Sequence, residues 1–336
     1  MIAPAPIAIL VAVALFFDFL NGFHDSSNIV ATMISSRALS PRQALALSAI
    51  AHFCGPFLFG VAVATTIGHE VVAEEALIMP VIFAALLAAI AWDLITWFFG
   101  IPSSSSHALI GGIVGAVSVD FGLGAIQMRG LTKVAIALFV SPILGLMVGY
   151  LLMQLILFLA RGASPKINRF FKRSQILTSL ALALSHGTND AQKTMGIIAM
   201  GLVASGYLSE FSVPKWVIVA CAGAISLGTA SGGWRIIKTL GAGFYKVRPV
   251  HSFAAQLGSA VVILGAALLG GPVSTTQVVS STIVGVGSAE RLSKVRWGVA
   301  RNILLAWILT IPATALLAAL LYRPISLLFG AWWGGS

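Results

Sequence analysis

Gly187-Thr188-Asn189-Asp190-Ala191-Gln192-Lys193 sets an acid, two amides and a lysine into an otherwise apolar run. The same frame occurs 165 residues earlier as Gly22-Phe23-His24-Asp25-Ser26-Ser27-Asn28. A second string, Gly100-Ile101-Pro102-Ser103-Ser104-Ser105-Ser106-His107, returns as Gly271-Pro272-Val273-Ser274-Thr275-Thr276-Gln277, a shift of 170 when Pro102 is laid on Pro272. Ile113-Val114-Gly115 then falls on Ile283-Val284-Gly285. Acids and hydroxyls at bilayer depth are costly and mark solute pathways, so the paired strings read as one site built twice. The duplication divides the chain into halves, 1–170 and 171–336.

The surrounding composition supplies the bilayer. Hydrophobic residues make up 58% of the 336 and charged residues 9%, against roughly 25% charged in soluble domains. Spans of about 20 residues leave room for about ten helices and little else. Cys54 and Cys221 sit in apolar stretches without metal spacing and read as packing residues. The net charge of +10 could suggest nucleic acid, but the basic residues lie in short loops between apolar segments, as in cytoplasmic membrane loops. The first apolar run carries Asp18 and has no basic leader, so it reads as a retained helix rather than a signal peptide.

Apolar segments fall near 5–36, 43–67, 76–99, 104–119 and 131–160, then 174–204, 214–230, 252–269, 274–287 and 295–322. Those after Pro102 and Pro272 are short, as half-helices or re-entrant arms would be. Fifteen of the twenty basic residues gather in four loops, 37–42, 161–173, 235–248 and 291–301. The loop with Glu70, Glu74 and Glu75 has none, and only Arg129, Lys133, Lys215 and Arg323 lie on the other side. The basic side is cytoplasmic. Both termini then lie outside, each half crosses five times, and an odd number of crossings turns one half over relative to the other. The expected fold is an all-α, polytopic bundle of about ten crossings in the cell (inner) membrane, built from two inverted-topology repeats with broken or re-entrant helices.

Gly22 and Gly187 are expected to break their helices, freeing backbone groups and presenting the positive end of the restarting helix to an anion. Pro102 and Pro272 start helices in the same way, with Ser103, Ser104, Ser105 and Ser106 and Ser274, Thr275 and Thr276 supplying caps and hydroxyl donors. Four helix starts would then surround one oxyanion. Asp25 and Asp190 fit beside an anion only if a cation accompanies it, as Na⁺ or as a proton on a buried carboxyl. They can also accept a hydrogen bond from a protonated phosphate oxygen, which sulfate lacks at neutral pH. Asn28 and Asn189 join the same cation site.

Lys193 is open to a structural pairing with Asp25 or Asp190 or to direct contact with the anion. His107 and Gln277 match across the halves and either line the site or orient the loops. Asp18 and Asp93 have no repeat partner, and a water-facing or hydrogen-bonded structural role weighs at least as much as a site role. His52 reads as a packing residue, His69 and His251 as solvated loop residues, and Trp332 and Trp333 as interfacial anchors. A membrane hydrolase is disfavoured, because adjacent Ser106 and His107 are poorly placed as nucleophile and base and every element is duplicated. A passive anion channel is disfavoured by the paired carboxylates.

The strings at 22–28 and 186–196 resemble the paired signatures of the inorganic phosphate transporter (PiT) family, usually written around Gly-Ala-Asn-Asp-Val-Ala-Asn. The Pro-x-Ser-Thr-Thr-type strings at 102–107 and 272–277 match that family's second pair, and Gly232-Gly233-Trp234-Arg235-Ile236-Ile237-Lys238-Thr239-Leu240-Gly241 is similar to a family loop. The resemblance spans about 20 to 300. It implies symport of inorganic phosphate with H⁺ or Na⁺, often by a dimer, with no further cofactor; carriage as a metal–phosphate complex and a sulfate-carrying branch are the open variants. The chain departs from the pattern where His24 stands for Asn, Ser26 and Ser27 for small apolar residues, and Lys193 for the position of Asn28. An ammonium at 193 takes space and charge that Na⁺ would supply. Proton coupling is therefore expected, with the His24/Asp25 and His186/Asp190 neighbourhoods titrating.

Overall fold

The computed structural model describes residues 4–69, 71, 73, 76, 78–242, 244 and 246–333. Glu70, Glu74 and Glu75 lie outside the described residues, as do the side chains of His69, Trp332 and Trp333. Among the described residues, twelve α-helices follow one another in an order that repeats. The first half gives α1 (Pro4–Ser35), α2 (Pro41–Leu58), α3 (Ala62–His69), α4 (Met79–Phe99), α5 (Ser105–Asp120) and α6 (Met128–Leu159). The second gives α7 (Ile167–Ala204), α8 (Lys215–Ser231), α9 (Trp234–Ala242), α10 (Pro249–Leu268), α11 (Thr275–Glu290) and α12 (Trp297–Trp333). A short 3₁₀ turn precedes the last helix of each half, at Leu123–Ala125 and Leu292–Lys294.

Sequence chemistry explains the breaks. Ser40 and Gln43 form a capping box ahead of Pro41, which starts α2 at a position where its missing N–H costs nothing. Gly100 and Gly270, at φ 68° and 70°, end the fourth helix of each half in the left-handed region that glycine tolerates. The chain then runs extended until the Ser104 and Ser274 side chains cap α5 and α11, accepting from the backbone N–H of His107 and Gln277 at 3.2 and 3.3 Å. At 16 residues, these two helices reach about 24 Å, short of a ~30 Å hydrocarbon core.

Among the described residues, five helices, α1, α4, α6, α10 and α12, are long and apolar enough to cross a membrane, or up to seven spans if the bent pairs α2–α3 (77°) and α8–α9 (72°) each count as one. α6 and α12 turn Phe139, Leu151, Leu155, Leu316, Leu320 and Leu327 outward. Such broad apolar faces suit lipid rather than water. Packing is exchanged between halves: α1 lies on α8 and α7 on α2, while α5 lies on α12 and α11 on α6.

Two expectations are corrected here. α1 and α7 run unbroken through Gly22 and Gly187. The glycines serve close approach instead: a Cβ on Gly22 would lie 2.1 Å from the Ile225 carbonyl oxygen, and one on Gly187 2.6 Å from that of His52. Gly228 against Phe19 and Gly55 against Leu184 complete two matching antiparallel crossings. Second, the stretch 235–248 is not all loop, because α9 occupies its first part, and His251 is buried in the first turn of α10 with Nε2 3.3 Å from Glu290 Oε1. Glu290 also pairs with Arg248 and Lys294, so it draws the imidazole out of water.

Candidate functional site

Helical geometry turns each polar string into a stripe. Asn21, His24, Asp25 and Asn28 are spaced i, i+3, i+4, i+7 along α1 and share one face, as do His186, Asn189, Asp190 and Lys193 on α7. All eight are buried, with Asp190 and Lys193 at 0% exposure and Asp25 at 2%. The third and fourth contributors are the starts of α5 and α11. The site therefore holds two helix N-termini, where four were expected, because α1 and α7 do not break.

Asp25 is the hub of the first half. Its Oδ1 accepts from Thr276 Oγ1 at 2.9 Å and Asn28 Nδ2 at 3.0 Å, and lies 3.2 Å from His24 Nδ1. Asn28 Nδ2 also donates to Thr276 Oγ1 at 3.0 Å. Asp190 is the hub of the second half: Oδ2 is 2.8 Å from His186 Nδ1, and Oδ1 accepts from the Lys193 ammonium. The Thr275 hydroxyl lies between the two, 3.0 Å from Asp190 Oδ2 and 3.4 Å from Asp25 Oδ2. Ligand atoms of Asp25, His186 and Asp190 fall within 4.8 Å of one another, a set able to hold a cation.

The hydroxyls of α5 are engaged differently. Ser105 donates to Asn21 Oδ1 at 2.9 Å and Ser106 to the Val273 carbonyl at 3.0 Å, while Ser103 pairs with Thr96 at 2.7 Å. Ser104 takes the His107 ring nitrogen at 2.7 Å as well as its own cap. His107 meets Gln277 Nε2 at 3.4 Å, so the matched pair touches across the halves. Asn189 donates to the Gly271 carbonyl at 3.1 Å and thereby ties α7 to the second extended connection. The strings thus contact one another across the halves: Thr275 and Thr276 face the carboxylates, while Ser103, Ser105 and Ser106 bond to Thr96, Asn21 and the Val273 carbonyl.

Sequence reasoning passed over several members. Asn21 was unmarked, although its spacing to Asp25 puts it on the same stripe. Asp18 and Asp93 are buried, which removes the water-facing role for both; Asp18 has hydrogen-bonding neighbours in Thr194 and Cys221, whereas neither carboxylate oxygen of Asp93 has a hydrogen-bond partner. Asp18 lies one further stripe position back from Asp25, beside Thr194 and Cys221. His52 does more than pack: its ring stacks on His186 with centroids 5.0 Å apart, and Nδ1 is 2.7 Å from Thr229 Oγ1. Asn28 Oδ1 and Asn189 Oδ1 also lack a protein partner. Buried polar groups normally have one, so such a concentration marks a place for ions or solute. By contrast, the two apolar grooves of about 600 and 430 Å³ beside Gly100–Pro102 and Gly271–Val273 carry little polar lining and open outward.

A helical bundle with membrane-length apolar helices, whose two halves meet in a buried, charged, hydroxyl-rich cluster, belongs to the class of membrane proteins with an internal polar site. The family model described as the phosphate transporter family matches residues 21–318. A probable low-affinity inorganic phosphate transporter of Rhizobium meliloti is 48% identical over 315 residues, covering 93% of this chain and 94% of the relative. One of Bacillus subtilis, described in the same words, is 45% identical over 325 residues, covering 96% and 97%. A solved structure described as the sodium-dependent phosphate transporter superposes with a TM-score of 0.86 at 25% identity, covering 96% of this chain and 99% of that one. The chain belongs to the phosphate transporter family.

Proposed function

We propose that the protein is a secondary symporter that carries phosphate with a cation by alternating access, and that both ride at the Asp25–Asp190 cluster. One observation carries this reading: two buried carboxylates from opposite halves share the Thr275 hydroxyl. An anion cannot approach that pair alone, since a buried unpaired charge is expensive and two like charges repel. A cation bound there lowers the barrier for phosphate, so the two fluxes become linked. Phosphate oxygens are received by the N–H groups at the starts of α5 and α11 and by hydroxyls of Ser103–Ser106 and Ser274–Thr276, which turn from their present partners. Asp25, Asn28, Asn189 and Asp190 hold the cation and accept from a protonated phosphate oxygen, which sulfate does not offer.

The sodium dependence named for the structural neighbour supports a cation as partner. We assign the proton, because His24 and His186 each lie against a carboxylate and Lys193 already fills part of the charge. The Asp25, His186 and Asp190 set also suits phosphate arriving as a metal complex. The halves are inverted repeats, with both termini outside the cell (inner) membrane, a reading supported by the basic loops and by the exchanged helix pairs. A homodimer rests on the family resemblance alone.

Uptake of labelled phosphate into proteoliposomes, with excess sulfate and with H⁺ and Na⁺ gradients imposed separately, tests the reading. Uptake driven by the proton gradient and indifferent to sulfate is expected. A strict Na⁺ requirement removes the proton, and full competition by sulfate removes the selectivity.

A further inference from the structure

At a shift of 165 the two stripes align and share the acid, Asp25 and Asp190, while the fourth place carries Asn28 in the first half and the charged Lys193 in the second. In the first half, Asn28 Nδ2 is spent on Asp25 and Thr276, and its Oδ1 has no protein partner. That leaves a carboxylate, an amide oxygen and a hydroxyl oxygen together, a hard oxygen set for a small cation. In the second half, the Lys193 ammonium lies on Asp190 Oδ1 and is fully buried. Asn189 Oδ1, next in sequence to Asp190, is also unpartnered. The second half therefore also offers carboxylate, amide and hydroxyl oxygens, but there an ammonium already occupies one carboxylate oxygen, Asp190 Oδ1.

The charge balance gives that ammonium its meaning. Asp18, Asp25, Asp93 and Asp190 are four buried carboxyls, and Lys193 is the one Lys or Arg buried with them among the described residues. Phosphate adds further negative charge. An unpaired buried charge is strongly disfavoured, so cations must enter or already be present. A covalently held cation contributes to phosphate binding but cannot leave with it. Its charge is counted in every state of the cycle and transported in none.

We propose that Lys193 is a tethered counter-cation standing in the place of a second transported cation, so that one mobile cation accompanies each phosphate and binds on the Asp25 side. It follows that Lys193→Asn, which copies Asn28, opens a Na⁺ site around Asp190. The inference rests on the symport reading above, and its test separates the two.

Wild-type and K193N proteins are purified, and Na⁺ is titrated against thermal stability with choline as control. Both are then reconstituted, and labelled Na⁺ and labelled phosphate entry are followed together. In K193N, Na⁺ is expected to raise the thermal midpoint, since a ligand of the folded state stabilises it, and Na⁺ entry with phosphate is expected to exceed wild type at least tenfold. K193R, which keeps the charge, is expected to behave as wild type on both counts. K193N that takes up phosphate with no Na⁺ entry and no Na⁺ stabilisation overturns the inference. Should K193N fail to insert, wild-type protein decides from the gradient at which net phosphate flux vanishes. One cation per phosphate supports the inference; two or more overturn it while leaving symport intact. Wild-type vesicles that take up no phosphate under any cation gradient overturn the transport reading and this inference with it.

Discussion

Thr276 donates to Asp25 Oδ1 and accepts from Asn28, so a single hydroxyl organises the cation position proposed for the first half. Removing it as Thr276→Val strips a hydrogen bond from a buried carboxylate, an interaction in the range of 1.5–3 kcal/mol, and is expected to raise the half-saturating cation concentration about tenfold or more. Ser103→Ala is expected to change the same quantity less than about threefold, because its hydroxyl pairs with Thr96 and not with either carboxylate. Transport titrated against cation concentration checks both; equal effects would dissolve the distinction between the two hydroxyl runs. At this scale the sequence revealed the acids, amides and hydroxyls because they stand out in an apolar chain and recur at fixed shifts. It did not reveal how the hydroxyls divide. Ser103 to Ser106 read as equivalent donors, but which acceptor each meets depends on Thr96 of the preceding α4 and on α1 and the 269–274 connection, the last two distant in the chain. Asp18 and Asp93 were passed over for a related reason: repetition was the signal, and neither is repeated.

Among elements, the contacts that bring the stripes together are made by glycines. Gly22 on α1 and Gly228 on α8 each place a backbone where a Cβ would fall about 2 Å from a carbonyl oxygen of the facing helix, 2.1 Å from Ile225 and 1.9 Å from Phe19. Gly22→Ala and Gly228→Ala are expected to cost about 1–3 kcal/mol or more each, the range for overpacking, and to lower the thermal midpoint of the purified protein. Gly223→Ala on the same helix meets nothing within 4 Å and is expected to be neutral or to stabilise by up to about 1 kcal/mol through helix propensity. A fluorescence-monitored melt separates the cases, and comparable losses at 22 and 223 would contradict the packing assignment. Helix positions were legible because apolar runs end where Gly, Pro and Ser cluster, and the extended connections before Ser104 and Ser274 follow from Gly-Pro and Ser chemistry. The continuity of α1 and α7 was not legible. A glycine beside an acid in an apolar run looks alike whether it bends its helix or admits a neighbour, and only the partner helix tells which. The bends at 59–61 and 232–233 were missed because the runs on either side are apolar enough to read as one span or as a loop.

For the whole molecule, the exchange of helix pairs and the basic loops lead to one topology. Single cysteines placed in the 161–166 loop and near residue 333, on a background in which exposed Cys54 and buried Cys221 are replaced, are expected to react with impermeant thiol reagents from opposite sides. The loop should label only from the cytoplasm and the end of α12 only from outside; labelling of both from one side would end the inverted arrangement. Two carboxylates 165 residues apart share one threonine hydroxyl, and in the proposed mechanism that sharing links an anion to a cation. The cluster is nearly solvent-free, so each half must in turn open toward one side for ions to enter and leave. The most direct test of this account is accumulation of labelled phosphate in proteoliposomes under an inward proton gradient, for wild type, Asp25→Asn and Asp190→Asn. The account predicts accumulation above equilibrium for wild type and none above empty vesicles for either variant, although both are folded and inserted; full accumulation by both variants would contradict it.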